Sequence, residues 1–246
     1  MEKDFYLQYA SVEDKHWWFV ARRQIIEQVI LKLNLPKNAQ ILEAGCGTGG
    51  NLQMLSRYGK VSAMELDEIA CQLANQRQVI QVKRGSLPDN IPFNSQYDLI
   101  LILDVIEHLD DDLSALKALY YKLKPGGYLL VTVPAYQFLW SEHDEINHHK
   151  RRYRLTGLKQ VVKNAGYKIG YGSYFNTVLF PVVAIVRGLA KLPKQNKNQP
   201  SSDLVLPSKP VNQIFKWLFA SERYLINRLS LPFGVSILLL ARKPHI

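Results

Sequence analysis

The stretch Ile41-Leu42-Glu43-Ala44-Gly45-Cys46-Gly47-Thr48-Gly49-Gly50-Asn51 decides the fold. Its aliphatic start reads as a strand over 40–45, and the residues from Gly49 to about Tyr58 read as a helix. Between them the glycines let backbone N–H groups approach a ligand closely, at the positive end of a helix. Gly45, Gly47 and Gly50 satisfy the spacing GxGxxG. Glu65 follows at the end of a second strand, placed for ribose hydroxyls.

Working outward, strands and helices alternate. Residues from about Val12 to Leu33 have helical spacing and stop before Pro36, which predicts an N-terminal helical cap. After the glycine loop come a strand at 60–66, a helix at 68–75 and a strand at 79–83. YDLILILD (97–104) is aliphatic enough to be a strand buried on both faces. A helix at 111–122 stops at Pro125-Gly126-Gly127, and YLLVTVP (128–134) is again a strand. This alternation predicts a parallel sheet covered by helices on both sides.

The last hundred residues change rhythm. A helix at 155–165 and a strand at 168–175 precede the apolar run VLFPVVAIV (178–186), the polar linker 193–203 and an amphipathic helix at 211–229. That helix is expected to place Ile214, Leu218, Leu225 and Leu229 on one face. GVSILLLAR (234–242) has the aliphatic density of a central strand. The run 178–186 is far shorter than the roughly 20 apolar residues needed to cross a bilayer, and Pro181 and Arg187 interrupt it. The expected division is a helical cap at 1–36, a core at 37–175, a helical insertion at 176–230 and a final core strand at 231–246. The insertion would serve as a lid, a dimer contact or a membrane contact.

With 246 residues, 47% of them hydrophobic, the chain is long enough for one domain with decorations and is not disordered. Cys46 and Cys71 cannot build a disulfide framework, no CxxC pair offers zinc, and no metal site is expected. The start, MEKDFYLQYASVEDKHWW, has no signal-peptide pattern, which predicts a reduced cytoplasmic compartment, including its membrane face. The net charge of +10 is uneven: residues 1–145 carry 14 basic and 19 acidic side chains, whereas 146–246 carry 17 basic and 2 acidic. This asymmetry raises three kinds of partner: nucleic acid, an anionic membrane surface, or an anionic substrate.

The glycine loop alone does not separate a nicotinamide or flavin dinucleotide from S-adenosylmethionine. Four pieces in order do: Glu43-Ala44-Gly45-Cys46-Gly47-Thr48-Gly49, Glu65 ending its strand, DLILILDVIEHL (98–109) and LKPGGYLLVTVP (123–134). On these the chain resembles the class I S-adenosylmethionine-dependent methyltransferases, over about residues 37–170 and the last strand. The resemblance implies a Rossmann-like, seven-stranded α/β sheet whose last strand is antiparallel, with S-adenosyl-L-methionine as cofactor. Glu43, Gly45, Cys46 and Gly47 would hold its methionine portion, Glu65 and Leu66 its ribose, and Asp104 would line the methionine end. The adenine position, commonly an Asp, is Ser86 here, beside Leu87. KHWWFVARRQII (15–26), SEHDEINHHKRRYR (141–154), SYFNTVLFP (173–181) and LPFGVSILLLARKP (231–244) further resemble a bacterial subgroup associated with glycan and small-molecule enzymes. Trp17, Trp18, Phe19, Arg22 and Arg23 would either close over the cofactor or pack the cap onto the sheet.

Methyl transfer to oxygen or nitrogen requires positioning and, for a hydroxyl, loss of a proton. The candidate bases lie in loops at the carboxyl edge of the sheet: His108, His143, His148 and His149, with Asp144 able to orient an imidazole. This histidine supply favours O-methylation of a small or lipid-linked metabolite over N- or C-methylation. The run HHKRRYR (148–154) is either a solvated basic face or a set of forks for an anionic acceptor. Nucleic acid is the weaker partner, because no RNA module accompanies the aromatics Tyr153, Tyr167, Tyr171, Tyr174 and Phe175. An RNA methyltransferase and a non-catalytic scaffold at a membrane or partner protein are the alternatives. A homodimer is compatible with the apolar insertion.

Overall fold

The computed structural model describes residues 3–190 and 205–245; the expected linker at 193–203 lies outside the described residues. The chain runs α1 (Lys3–Val12), α2 (Trp17–Ile30), β1 (Gln40–Ala44), α3 (Leu52–Leu55), β2 (Lys60–Glu65), α4 (Glu68–Gln76), β3 (Val82–Arg84) and β4 (Tyr97–Leu103). It continues with α5 (Asp112–Lys122), β5 (Leu123–Pro134), α6 (Glu142–Ile146), α7 (Leu155–Asn164), β6 (Lys168–Phe175), α8 (Phe180–Ala190), α9 (Lys209–Ser221) and β7 (Ser236–Arg242).

One seven-stranded sheet has the order β3-β2-β1-β4-β5-β7-β6. Strands β1 to β5 pair in parallel, whereas β7 lies antiparallel between β5 and β6. This is the expected Rossmann-like sheet with an antiparallel last strand. Helices cover both faces, and the two largest of four core clusters among the described residues lie on either side of the sheet. On one side Leu42, Ile100, Ile102, Leu129 and Val131 meet α5 and α7; on the other Ile41, Leu99, Leu101 and Leu130 meet α2 and α9.

Several boundaries differ from the sequence expectation. The helix expected over 12–33 is shorter, Trp17–Ile30, and a separate helix, Lys3–Val12, precedes it. His16, with extended backbone angles, caps α2 by accepting the Trp18 N–H at 3.3 Å, so the chain turns and aims Glu13 inward. The helix expected after the glycine loop is one turn long, and the third strand starts three residues late, after Gln78 in the left-handed region.

The expected helix at 211–229 stops at Ser221. Glu222 turns into the interior, where Oε1 accepts the N–H groups of Thr177 at 2.7 Å and Val178 at 2.9 Å, just ahead of α8. Its expected face is also corrected. Ile214, Leu225 and Leu229 are exposed, while Phe215, Leu218, Phe219, Ala220 and Ile226 pack on the sheet and α2. Trp17 joins this packing, with ring centroids 5.5 Å from Phe215 and 6.0 Å from Phe219, and Asn212 accepts its backbone N–H at 2.8 Å. Among the described residues no helix is long and apolar enough to cross a membrane.

Phe219 is fully buried between α2 and β6, stacked on Phe175 at 5.9 Å. We expect Phe219→Ala to lower unfolding free energy by about 3–5 kcal/mol, measured by urea titration. A loss below about 1 kcal/mol would show that α9 is no part of the core.

Candidate active site

The carboxyl edge of the parallel strands opens into a cleft of about 940 Å3, within the size range of small-molecule sites. Glu43, Gly45, Cys46, Gly47, Glu65, Leu66, Ser86, Leu87 and Asp104 all line it, so the residues singled out as cofactor contacts converge on one space. At its centre the Glu65 carboxylate holds the glycine loop. Oε2 accepts the Gly47 N–H at 2.8 Å, and Oε1 accepts those of Leu66 at 2.8 Å and Asp67 at 3.1 Å. A carboxylate has roughly four acceptor positions, so one remains open toward the cleft. Burial raises the Glu65 carboxyl, against the pull of these three N–H groups.

Gly45 and Gly47 have left-handed backbones, at φ +76 and +54. A Cβ on Gly45 would sit 2.6 Å from Val105 Cγ2, so the loop passes directly over the turn after β4. Glu43, at the end of β1, is fully buried. Its Oε1 accepts from Asn51 Nδ2 at 2.7 Å, but Oε2 has no partner. Burial pushes its carboxyl up to about 7.

Helices α1 and α2 close the cleft from above. Arg22 is buried, and its Nη2 lies 2.6 Å from Asp104 Oδ2 and 2.9 Å from Thr132 Oγ1, bridging α2 to β4 and β5. Its Nε is buried without a partner. Arg23 donates to the Gly50 carbonyl at 2.6 Å and the Glu13 carbonyl at 2.9 Å. Glu13 Oε1 meets Thr48 Oγ1 and Arg77 Nη2, each at 2.5 Å, so the cap is fastened to the glycine loop. Of the aromatic pair, Trp17 packs away from the cleft and Trp18 lies under Arg22 at 5.2 Å, leaving Phe19 as the lining member with Tyr6 and Tyr9.

The five candidate catalytic residues separate. His108 and His148 line the cleft, whereas His143, Asp144 and His149 are not among its lining residues. His149 Nδ1 is 2.8 Å from Asp144 Oδ1, and the rings of His108 and His149 meet edge-on with centroids 4.6 Å apart. Burial and the neighbouring His149 push His108 down to about 4, so this ring is neutral near pH 7. The His143 ring lies 6.2 Å from His149 and 6.4 Å from Phe5. Asp144 is fully buried. Burial works to raise its carboxyl, yet hydrogen bonds with His149 and Arg152 hold it well below the usual range.

The basic run 148–154 divides: His148, Lys150 and Arg154 are exposed, while the other cations are engaged with the protein. Arg152 is buried, with Nε 2.7 Å from Asp144 Oδ1 and Nη2 2.9 Å from Oδ2. Arg151 donates to the Leu109 carbonyl at 2.9 Å, and Lys150 pairs with Asp110 while lining the cleft. Tyr153, Tyr167, Tyr174 and Phe175 are core residues, which removes them as base-stacking platforms. Sequence reasoning missed Glu13, Arg77 and Thr132, whose partners lie far along the chain, and Asn51, whose partner Glu43 sits in the same motif. It also missed Glu107, fully buried beside His108 in a segment already singled out.

A doubly covered, mostly parallel sheet with a glycine loop and an acidic strand end at one cleft defines a Rossmann-like nucleotide-type binding protein. The profile of the methyltransferase domain family matches residues 18–170, more than half of the chain. The chain belongs to that family, among the class I S-adenosylmethionine-dependent methyltransferases. It is similar to phosphoethanolamine N-methyltransferase 1 of Zea mays, 27% identical over 157 residues, covering 57% of this chain and 30% of that protein. It is also similar to trans-aconitate 2-methyltransferase of Deinococcus radiodurans, 30% identical over 115 residues, covering 45% of this chain and 41% of that one. The chain spans less than two thirds of the length of these curated relatives. Among solved structures, a SAM-dependent methyltransferase from Thermotoga maritima has the same fold, with a TM-score of 0.58 at 20% identity over 97% of this chain and 99% of that one. Phosphoethanolamine N-methyltransferase 2 of Haemonchus contortus, solved with S-adenosyl-L-methionine, gives 0.57 at 18% identity over 89% and 52%.

The raised Glu43 carboxyl has a consequence for stability. A folded value of about 7 against about 4.3 unfolded stabilises the fold below pH 4.3, and that contribution is lost as pH rises through 7. Glu43→Gln keeps the neutral shape at every pH. Its stability relative to wild type should therefore improve by up to about 3 kcal/mol between pH 4 and 8, measured by urea unfolding. A constant difference would mean that Glu43 titrates in the folded protein as it does in the unfolded chain.

Proposed function

We propose that this chain is an S-adenosylmethionine-dependent methyltransferase that transfers the methyl group to a hydroxyl of a small-molecule or lipid-linked acceptor. One observation carries the cofactor reading. Two buried atoms of opposite character, on cleft-lining residues close enough to act on each other, lack partners: the acceptor Glu43 Oε2 and the donor Arg22 Nε. Leaving such atoms unpaired costs about 1–3 kcal/mol each. An amino-acid group, with its ammonium on Glu43 and its carboxylate on Arg22, satisfies both at once. Glu65 has an acceptor position left for a ribose hydroxyl, and Ser86 and Leu87 line the cleft where an adenine would lie. The residues present therefore fit the cofactor.

Bound S-adenosylmethionine supplies an electrophilic methyl group on a sulfonium sulfur. The protein's share is to hold the acceptor in line and to accommodate the acceptor's proton. His108, neutral and in the cleft wall, and His149, set against it and oriented by Asp144, are the rings offered for this, with His148 also lining the cleft. His143, farther from the cleft, is the weaker candidate. The names of the relatives, an acid methyltransferase among them, support a small acceptor. The lipid-linked alternative rests on exposed apolar side chains of the insertion: Val182, Ile185 and Val186 on α8 and Ile214 and Trp217 on α9, with Lys209 and Lys216 on the same helix as the latter two. That surface would receive the acceptor at an anionic membrane; as a dimer contact it would bury itself instead.

Calorimetric titration with S-adenosylmethionine should give one site per chain. Glu65→Ala should weaken it by about 1.5–3 kcal/mol, the range for charge-assisted hydrogen bonds. Unchanged affinity in a folded variant, or tight NADH binding by the wild type, would sink the assignment. His149→Ala should keep cofactor affinity and lose about 10²–10⁴-fold in turnover with an accepted substrate; near-wild-type turnover would reduce the acceptor end to positioning alone. For the lipid-linked reading, sedimentation with anionic vesicles should exceed that with neutral vesicles and fall at high salt. Equal recovery in the supernatant with both would remove it.

A further inference from the structure

We propose that Glu107, His108 and His149 form a divalent-cation site in the wall of the cleft's acceptor end. Each residue offers one ligand atom, and the three atoms lie within 4.8 Å of one another. Ligand atoms around one tetrahedral ion at about 2.0–2.2 Å stand roughly 3.3–3.6 Å apart, so side-chain shifts of about an ångström would bring the three onto one ion.

Proximity alone would not make a site, but Glu107 adds an independent observation. It is fully buried, and neither carboxylate oxygen has a hydrogen-bond partner. A buried carboxylate without a partner is costly, and a bound cation removes that cost. Its neighbours do not: Arg22 is engaged with Asp104, and Arg152 with Asp144. The imidazole pair lies within ligand reach of it, with the Asp104 carboxylate also nearby, which adds to the need for a cation there.

The surrounding hydrogen bonds are those a metal-binding histidine needs. His149 directs Nδ1 to Asp144 at 2.8 Å, which leaves Nε2 as its ligand atom. Asp144 is itself fixed by Arg152 at 2.7 and 2.9 Å and by the Ser141 N–H at 2.8 Å. A carboxylate behind a ligating imidazole sets its tautomer and orientation. The α6 turn thus supports the ring of a residue three positions beyond it.

Two imidazoles and one carboxylate suit manganese, iron(II), cobalt, nickel or zinc rather than calcium. Three protein ligands leave coordination positions for water or for an oxygen of the acceptor. Because His108 lines the cleft, an acceptor with a hydroxyl beside a second oxygen donor would be held there. This assignment of role, though not the binding of the cation, rests on the methyltransferase reading above. It also changes the histidines' part in that reading, from free bases to ligands that fix the acceptor's oxygen.

The test uses the full chain stripped with a chelator and titrated with Zn2+ by calorimetry, or with Mn2+ by electron paramagnetic resonance. Wild type should bind one equivalent. Glu107→Gln and His149→Ala should abolish saturable uptake, and Asp144→Asn should weaken it roughly 10–100-fold, with folding checked by circular dichroism. His149→Gln, closer in size, serves if the alanine variant does not fold. The absence of saturable binding by wild type, or equal uptake by Glu107→Gln, would overturn the proposal. S-adenosylmethionine affinity measured on the same samples reports separately on the methyltransferase reading, since none of these three residues touches Glu43, Arg22 or Glu65. Turnover that survives complete chelation would return the histidines to the role of bases.

Discussion

The Glu65 carboxylate is the point on which the cleft depends. It sits where β2 ends and accepts three backbone N–H groups, one from the glycine loop and two from the turn into α4. Parallel pairing of β1 with β2 brings the two strand ends side by side, so one side chain spans both turns. Charge-assisted bonds of this kind are about twice as strong as neutral ones, and here they oppose the desolvation that burial imposes. With Gly47 held by Glu65, Gly45 is pressed over Val105 and Glu43 faces the cleft from below. A different residue at 65 would leave loop N–H groups unpaired and the floor of the site undefined.

The roof is fixed by a second set of charges. Arg22 reaches from α2 across the sheet's edge to Asp104 and Thr132, and Asp104 accepts this contact from a left-handed backbone, at φ 56. Glu13 and Arg77 fasten the start of the cap to the glycine loop. These pairs are buried or nearly so, and breaking one by removing a partner would strand a charge, at roughly 3–5 kcal/mol. The cap is therefore integral to the site, and its helices are split where Glu13 must turn inward.

The sheet was legible in the sequence because its strands are short aliphatic runs between glycine, proline and charged turns. The glycine loop, Glu65 and the 98–109 segment were legible because their neighbours along the chain carry the pattern. What escaped was contact made across the fold. Arg152 read as part of a basic face, yet Asp144 buries it; Glu222 ended a helix that periodicity carried on to Leu229. The tyrosines of β6 already favoured packing, because they alternate with glycine along a strand, and the sheet buries Tyr174 and half-buries Tyr171. Glu107 was in plain view beside His108, but nothing local says that His149 arrives next to it.

The most direct test of this account is a crystal structure with S-adenosylhomocysteine. The account predicts its ammonium on Glu43 Oε2, its carboxylate on Arg22 Nε, a ribose hydroxyl on Glu65 and the sulfur facing the His108 end of the cleft. A ligand bound elsewhere, or one that leaves Glu43 Oε2 and Arg22 Nε without partners, would contradict it.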